Sequence, residues 1–586
     1  MPSHFNLRVN FNFPCLSRWM FLRAVRAFSM SLAHTTTRMA PMVQQEIKLT
    51  HVEDQLCSLL DEFTRFLDRE QGIKTACRIN GGWVRDKLLG RDSNDVDICL
   101  ADMMGVPFVE QFVAYLSEKK HIPVHKVAKI ESNPDQSKHL ETARTTLLGV
   151  DLDFVNLRSE EYADNSRIPT EVKFGTPLED ALRRDITINS LFYNVHTRAV
   201  EDYTEKGLDD LRNGVVRTPL PPLQTFRDDP LRVIRCVRFA SRFGFEMTPE
   251  LRDAAQDRFI QEALSCKISR ERIGEELDKM IKGVQPVHAI QLINELSLYD
   301  CVFHVPADIL AIASSPVGSP HSSLTACMIL QNILSSSPSS PIVPVHPTLL
   351  SYALRDPGTK ARLFLAASLF PFYGITYKTQ KQKGHYLVEA VIREGLKLGN
   401  KNYYLDGIPA LFAAASELID GLSLDQDRFR GPSERVSIGL FLRHPKMHKP
   451  TSGLHWSSSL LFSLVCELAR LRDNEEATKC IQRYNAFATR IDELALGDTV
   501  DAKPLLNGNE VVALVGGKPG PWTRIVLDKI LEWHLEHPQG DKVACTDWLK
   551  EECNSGRINV QELVDSSSGS KRVQNNEGGT SKKVKR

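Results

Sequence analysis

The chain has 586 residues, 42% hydrophobic and 25% charged, enough for roughly three or four domains with large cores. Lys and Arg balance Asp and Glu at 73 each, so overall charge speaks neither for nor against nucleic acid, and any RNA surface has to come from local clustering. The 12 cysteines form no CxxC pair, which argues against a zinc site and for reduced intracellular thiols, and no apolar run reaches the roughly 18 residues of a membrane crossing.

Residues 1–45 contain no acid before Glu46, and Arg8, Arg18, Arg23, Arg26 and Arg38 are spaced among Phe, Leu, Trp, Ser and Thr. That is the composition of an organellar transit peptide, for mitochondrion or plastid, although a plain disordered arm would share it. Met30, Met39 and Met42 are candidate internal starts, and initiation there would yield cytosolic and nuclear forms.

Residues 46–200 alternate helix and strand signals, as an α/β head should. Val52, Leu56, Leu59, Leu60, Phe63 and Phe66 predict a helix over about 46–70. Strand-like runs follow at 76–79, 96–100, 124–130, 147–157 and 188–196, with a helical start at Trp83–Leu89. The polar stretch between Ile130 and Arg144 reads as a flexible loop. From residue 201 strand signals fade. We read 201–282 as a helical neck and 283–500 as a helical body, with Ser314–Pro347 as a Ser/Pro-rich linker or inserted loop. Residues 501–565 read as a helical tail, and 566–586 as a disordered basic tail: a nuclear address, an RNA-binding arm or a solubilising end.

The chemistry concentrates in the head. Asp95 and Asp97 are two apart on a predicted strand, so both carboxylates leave the same face. Two hard oxygen donors on one rigid element suit Mg²⁺, which also takes phosphate oxygens. Solvated Asp pairs are common, but Gly81-Gly82 stands just upstream, between a strand and a helix. There a backbone can approach a triphosphate closely, and Arg85 follows within one turn, in reach of a phosphate.

Gly81-Gly82-Trp83-Val84-Arg85-Asp86 followed by Asp95-Val96-Asp97 resembles the first motif of the DNA polymerase β-like nucleotidyltransferases. In particular it resembles that of the class II tRNA nucleotidyltransferases and the bacterial-type poly(A) polymerases. The resemblance runs from about Ile79 to about Lys282. Arg183-Arg184-Asp185-Ile186-Thr187-Ile188-Asn189 resembles the second motif. It implies forked triphosphate donors at Arg183 and Arg184, with Asp185 and Asn189 near the nucleotide sugar or holding the arginines. A surface ion-pair cluster is the alternative. Asp153, in Val150-Asp151-Leu152-Asp153, matches the third carboxylate of the superfamily, a general base or further metal ligand, although partnership with an Arg is equally open.

Phe226-Arg227-Asp228-Asp229-Pro230-Leu231-Arg232-Val233-Ile234-Arg235 resembles the motif that selects the base. Cytosine and adenine both show an amino donor beside an unprotonated ring nitrogen. A carboxylate and a guanidinium match that pattern and reject uracil and guanine, which present the reverse. Asp229 and Arg232 are the candidates, with Asp228 alongside, and a helix would put positions three apart on one face. Arg235 matches a further nucleotide-binding position. Arg238 and Arg242 continue the stripe, toward either RNA phosphate or solvent. Ile268-Ser269-Arg270-Glu271-Arg272-Ile273-Gly274-Glu275-Glu276-Leu277 resembles the last signature helix, a structural one.

The resemblance therefore implies an α/β head on a DNA polymerase β-like sheet, followed by an all-α neck, body and tail. It implies addition of C, C and A to the 3′ acceptor end of tRNA from CTP and ATP, without a template, by two-metal transfer with Mg²⁺ on Asp95 and Asp97. A poly(A) polymerase would share every motif. A degenerate RNA-binding homologue would be expected to have lost some of them. A CC-only or A-only enzyme would differ in the Ile130–Arg144 loop. Nothing in the sequence speaks to oligomeric state.

Overall fold

The structure, a computed structural model, describes residues 41–559 apart from 124, 131–141, 163–168, 336–342, 380, 419–425, 427–428, 430–432, 472, 498 and 517–518. Most of the transit-like segment, the centre of the 130–144 loop and the basic tail lie outside the described residues. The chain divides into two compact units, residues 1–328 with 368–405 and residues 329–367 with 406–586.

In the first unit, helix α1 (His51–Gln71) starts at a Thr50–Glu53 capping box and ends at left-handed Gly72. Then come β1 (Cys77–Asn80), α2 (Gly82–Leu88), β2 (Asp95–Leu100), α3 (Gly105–Lys120), β3 (His125–Ile130), β4 (Thr142–Leu147) and β5 (Val150–Asn156). A β6–β7 hairpin (Arg158–Tyr162, Pro169–Phe174), α4 (Pro177–Leu182), β8 (Phe192–Asn194) and β9 (Ala199–Glu201) complete the head. Seven strands form one sheet in the order β3-β4-β5-β2-β1-β8-β9, with β2 and β5 parallel at its centre. Phe63 of α1 and Phe108 and Phe112 of α3 pack with Phe154 of β5, their ring centroids 5.1–6.4 Å apart. Each such fully buried ring contributes about 1.5–3 kcal/mol. Val96, Ile98, Leu152 and Phe154 are buried, which leaves Asp95, Asp97, Asp151 and Asp153 on the opposite face.

Three local expectations are corrected here. The strand expected over 147–157 runs over Val150–Asn156; Leu147 instead ends the preceding strand, and Leu148-Gly149, both with positive φ, form the two-residue turn between them. The strand expected at 188–196 begins only at Phe192, because Thr187–Asn189 is a 3₁₀ turn closed by its own hydrogen bonds. Helix α3 matches no expected element, although Val109, Phe112 and Leu116 carry its spacing and are buried.

Beyond the head come α5 (Gly207–Asn213), β10 (Val215–Val216), α6 (Pro222–Asp228), α7 (Leu231–Phe243) and β11 (Glu246–Met247), which pairs in parallel with β10. Helices α8 (Pro249–Gln256), α9 (Arg258–Lys267), α10 (Arg270–Ile281) and α11 (Pro286–Glu295) follow. Gly274 of α10 is obligatory, because a Cβ there would lie 1.9 Å from the Leu396 carbonyl oxygen. The Ser/Pro-rich stretch expected to be a linker carries a helix, α12 (His321–Ser335). Its early serines, Ser322 and Ser323, donate to the carbonyls of Ser319 and Pro320 just before the helix, while Cys327 and Leu330 supply a buried stripe. A short hairpin, β12 (Thr376–Lys378) with β13 (Gly384–Tyr386), interrupts the region expected to be helical from 349 to 496.

The second unit is helical. Its C-terminal part packs Gly508–Val515, Trp522–Glu536 and Lys542–Asn554 around Val511, Trp522, Val526, Ile530, Cys545 and Leu549. All described cysteines are free thiols. Among the described residues, no helix is long and apolar enough to cross a membrane.

Candidate active site

The parallel pairing of β2 with β5 puts Asp95 opposite Asp151 and Asp97 opposite Asp153. Arg144 of β4 grips Asp153 with both arms, at 2.9 and 3.1 Å, and stands 3.9 Å from Asp95. The Arg partnership left open for Asp153 is thus present. Burial pushes the Asp97 carboxyl up to about 6; Asp95 and Asp153 add to the shift, and Arg184 and Arg144 oppose it. Among the described residues no three ligating side chains form a ready-made metal cage. The donor set nonetheless fits a divalent cation: hard oxygens on one strand face, in a cluster short of positive charge.

The turn before α2 brings the cations. Gly81 has φ +67, and a Cβ there would sit 3.1 Å from Arg184 Nη1. Gly82 has ordinary backbone geometry and an ordinary contact to Arg85, so only the first glycine of the pair is demanded by conformation. Asp180, fully buried in α4, accepts from Arg184 Nε and Nη2 at 3.1 and 2.8 Å and from Arg183 Nε at 2.9 Å. Burial alone would raise its carboxyl, but Arg184 and Arg183 outweigh that and hold it at about 2. Arg184 also donates to the Asn189 carbonyl at 3.2 Å and lies over the Phe192 ring. The paired arginines are therefore seated on an internal carboxylate and are not a loose surface cluster.

Asp185 and Asn189 tie the motifs together. Asp185 accepts from Ile186 N and Asn189 Nδ2 with one oxygen, and from Arg235 Nε and Nη2, at 2.8 and 2.7 Å, with the other. Burial opposes ionisation, yet Arg235 and Asn189 hold its carboxyl at about 2. The Asn189 side-chain oxygen accepts from Arg85. Arg85 is only 3% exposed, bonded to Asp86 at 2.8 Å and set against the Phe239 and Phe243 rings. Where the sequence suggested a phosphate ligand, the geometry shows a brace between α2, α7 and the second motif. Arg238 is likewise buried, on Glu276, and Arg242 stands 3.4 Å from Asp86. Arg238 is thus not the solvated or RNA-facing group that the stripe suggested, whereas Arg242 is exposed.

The base-selecting motif differs most from expectation. Asp229 and Arg232 do not share a helix face. Asp229 is extended (φ −141, ψ 102) in the break between α6 and α7, enforced by Pro230. Its Oδ1 accepts from Leu231 N at 3.1 Å, and its Oδ2 pairs with Arg272 of α10 at 2.9 Å. Arg232, 8% exposed, donates to the Arg183 carbonyl at 2.6 Å. Asp228, half-buried, closes α6 alongside. Arg272 thus ties the Asp229 carboxylate to α10, and Arg232 ties α7 to the backbone of the second motif.

Residues 77–217 match the poly A polymerase head domain, and residues 244–309 match a probable RNA and SrmB-binding site of polymerase A. The mitochondrial CCA tRNA nucleotidyltransferase of Saccharomyces cerevisiae is 38% identical over 514 residues, covering 84% of this chain and 92% of that protein. The tRNA nucleotidyltransferase cca1 of Schizosaccharomyces pombe is 32% identical, covering 85% and 95%. The chain belongs to the CCA tRNA nucleotidyltransferases. The crystal structure of the Bacillus stearothermophilus CCA-adding enzyme with CTP shares the fold, with a TM-score of 0.51 at 18% identity over 87% of this chain and 99% of that one.

Three residues of the site, Asp180, Arg144 and Arg272, are not among the candidates the sequence offers. Asp180 precedes Arg183 and Arg184 by three and four residues, the spacing at which a helix pairs charges. That local signal was available. Arg144 and Arg272 meet their partners only across strands or helices, and no spacing announces them.

Proposed function

We propose that this chain adds C, C and A to the 3′ end of tRNA from CTP and ATP, with no nucleic-acid template. The observation that carries the proposal is the Asp95–Asp97 face beside Asp153, together with Arg184 reaching Asn189 at Gly81, in a chain aligned over most of its length with CCA-adding relatives. The RNA 3′-hydroxyl gives up its proton to a carboxylate of the Asp95–Asp97–Asp153 face and attacks the α-phosphate in line; one P–O bond forms as another breaks, and pyrophosphate leaves. Asp95 and Asp97 would hold a divalent ion, which would supply charge neutralisation and alignment at the phosphate; Mg²⁺ is the ion hard carboxylate oxygens and a triphosphate favour. Asp153, once released from Arg144, is the third carboxylate of that face.

Gly81 and Gly82 let the backbone approach the triphosphate, and Arg183 and Arg184 bind it, pre-set by Asp180 so that little reorganisation remains at reaction. Asp185 and Asn189 hold Arg235 and Arg85, and so the walls of the nucleotide site. Asp229 accepts the amino group of C or A, and Arg232 donates to the ring nitrogen. Each Asp229 oxygen keeps a second lone pair beyond its bond to Leu231 N or Arg272. Asp228 supports this pair.

The division of labour follows the chain. Residues 46–200 are the catalytic head and 201–282 the neck that reads the base. Residues 283–500 and 501–565 are the body and tail that hold the tRNA acceptor arm. Residues 1–45 address the protein to mitochondria, as the names of its S. cerevisiae and Candida glabrata relatives suggest.

Base selection is testable alone. Asp229→Ala should narrow the preference for CTP over UTP by about 10²-fold or more, the loss that follows when a paired polar reader is removed. Single-nucleotide incorporation into tRNA with each labelled NTP measures it. Undiminished rejection of UTP and GTP would remove Asp229 from the reading role.

A further inference from the structure

Where α2 meets α7, the molecule carries cations that the chemistry above does not use. Phe243, the last residue of α7, is half-buried, and three guanidiniums gather round its ring. Arg85 lies 4.8 Å from the ring centroid, Arg242 5.1 Å and Arg91 5.4 Å. Arg85 is buried and bonded to Asp86 and Asn189, whereas Arg91 and Arg242 are exposed. One carboxylate serves the group. Asp86 Oδ1 accepts from Arg85 Nε at 2.8 Å, and its Oδ2 stands 3.4 Å from Arg242 Nη2. Asp92, next to Arg91 in the chain, is paired with Lys87 at 3.3 Å, and Arg91 has no carboxylate partner among the described residues. Burial pushes the Arg242 guanidinium down from its ordinary value; Asp86 opposes this, and Arg85, Arg238 and Arg91 add to it. An aromatic ring fixes guanidiniums without using their N–H donors, which stay available to an anion.

The backbone says which anion. Left-handed Gly90 ends α2, and Arg91 N donates to the Asp86 carbonyl at 2.8 Å. Arg91 therefore stands at the opposite end of α2 from Gly81, beside which Arg184 is seated, and so outside the triphosphate seat. It is also only four residues before Asp95, a stretch of chain that spans at most about 14 Å. A phosphate held there belongs to RNA close to its growing 3′ end. Contacts to phosphate position a strand without reading it, so the strand can be extended whatever its sequence. We infer that Arg91 and Arg242 form a phosphodiester-binding site for the RNA strand being extended. The inference rests on the reading of the chain as a tRNA-extending enzyme.

The test is CTP incorporation by the full-length protein into a tRNA lacking its CCA, over a range of salt concentrations. Arg91→Gln should raise the KM for tRNA about fivefold and flatten its log–log salt dependence by about 0.7 to 0.9, the share of one phosphate contact, while the KM for CTP stays near wild type. Arg91→Lys, which keeps the charge, should keep the salt slope. Arg91→Gln with Arg242→Gln should flatten the slope by about 1.4 to 1.8. Arginines that served only to pack α2 against α7 would leave the slope unmoved. A wild-type salt slope in both glutamine variants therefore overturns the site. So does a raised KM for CTP at an unchanged KM for tRNA, which would assign the arginines to the triphosphate. If the wild-type protein binds tRNA but extends none, the parent reading falls instead.

Discussion

Asp97→Asn should lower CTP incorporation by about 10³-fold, with tRNA affinity unchanged within about a factor of two, because the lost group acts on the transition state and not on RNA. A second readout separates a catalytic role from a structural one. The Asp97 carboxyl is pushed up to about 6 by burial and by its acidic neighbours, from 3.8. Its folded value lies above its unfolded value, so its ionised form opposes folding, and the cost grows as pH rises through that window. The neutral amide removes the cost. Asp97→Asn should therefore unfold at a higher temperature than wild type at pH 8 without divalent ion, and the gap should close as divalent ion is added to wild type. A variant that is inactive and less stable would mark Asp97 as structural. One that keeps activity would remove it from the reaction.

Asp180→Ala should be the most destabilising single change in the head. It deletes a fully buried carboxylate and leaves Arg183 and Arg184 without their shared partner, a class of change that costs about 3–5 kcal/mol. It should also raise the KM for CTP, since Arg184 would no longer be seated against Gly81 and Asn189. Here the pH dependence has the opposite sign to that of Asp97. The arginines hold the Asp180 carboxyl at about 2, below its ordinary 3.8. Its contribution is full above pH 3.8 and is lost as pH falls through about 2. Thermal unfolding of wild type should therefore fall more steeply between about pH 4 and pH 2 than that of Asp180→Ala. Parallel curves would show that Asp180 is not the group that titrates.

Legibility in the amino-acid sequence divides along a physical line. The alternation rule placed Asp95 and Asp97 on one strand face, and the register confirms that face and adds Asp153 to it. Gly81 was legible because only a residue without Cβ tolerates its backbone beside Arg184. Where spacing was stretched beyond its range it misled. Asp229 and Arg232 are three apart, but Pro230 breaks the helix between them, and a Pro at that position was visible in the chain. The arginine stripe of α7 was read by period, yet period cannot tell a solvated face from one paired with acids on other elements. Arg235 finds Asp185, Arg238 finds Glu276 and Arg242 finds Asp86, at separations of 38 to 156 residues. Arg85 fell to the same blindness: a cation after a glycine turn looks like a phosphate ligand until the carboxylate and aromatic rings around it are in view. The serine-rich start of α12 shows the converse error, where local polarity outweighed an apolar stripe of adequate spacing.

The most direct test is extension of a tRNA that ends at the discriminator base, with divalent ion and CTP and ATP supplied singly and together. CTP alone should add two residues and stop. ATP alone should add none. Both together should add C, C and A and then halt, although nucleotide remains in excess. A growing A tail, a stop after CC with both nucleotides present, or incorporation of U or G by the wild-type protein would contradict the account.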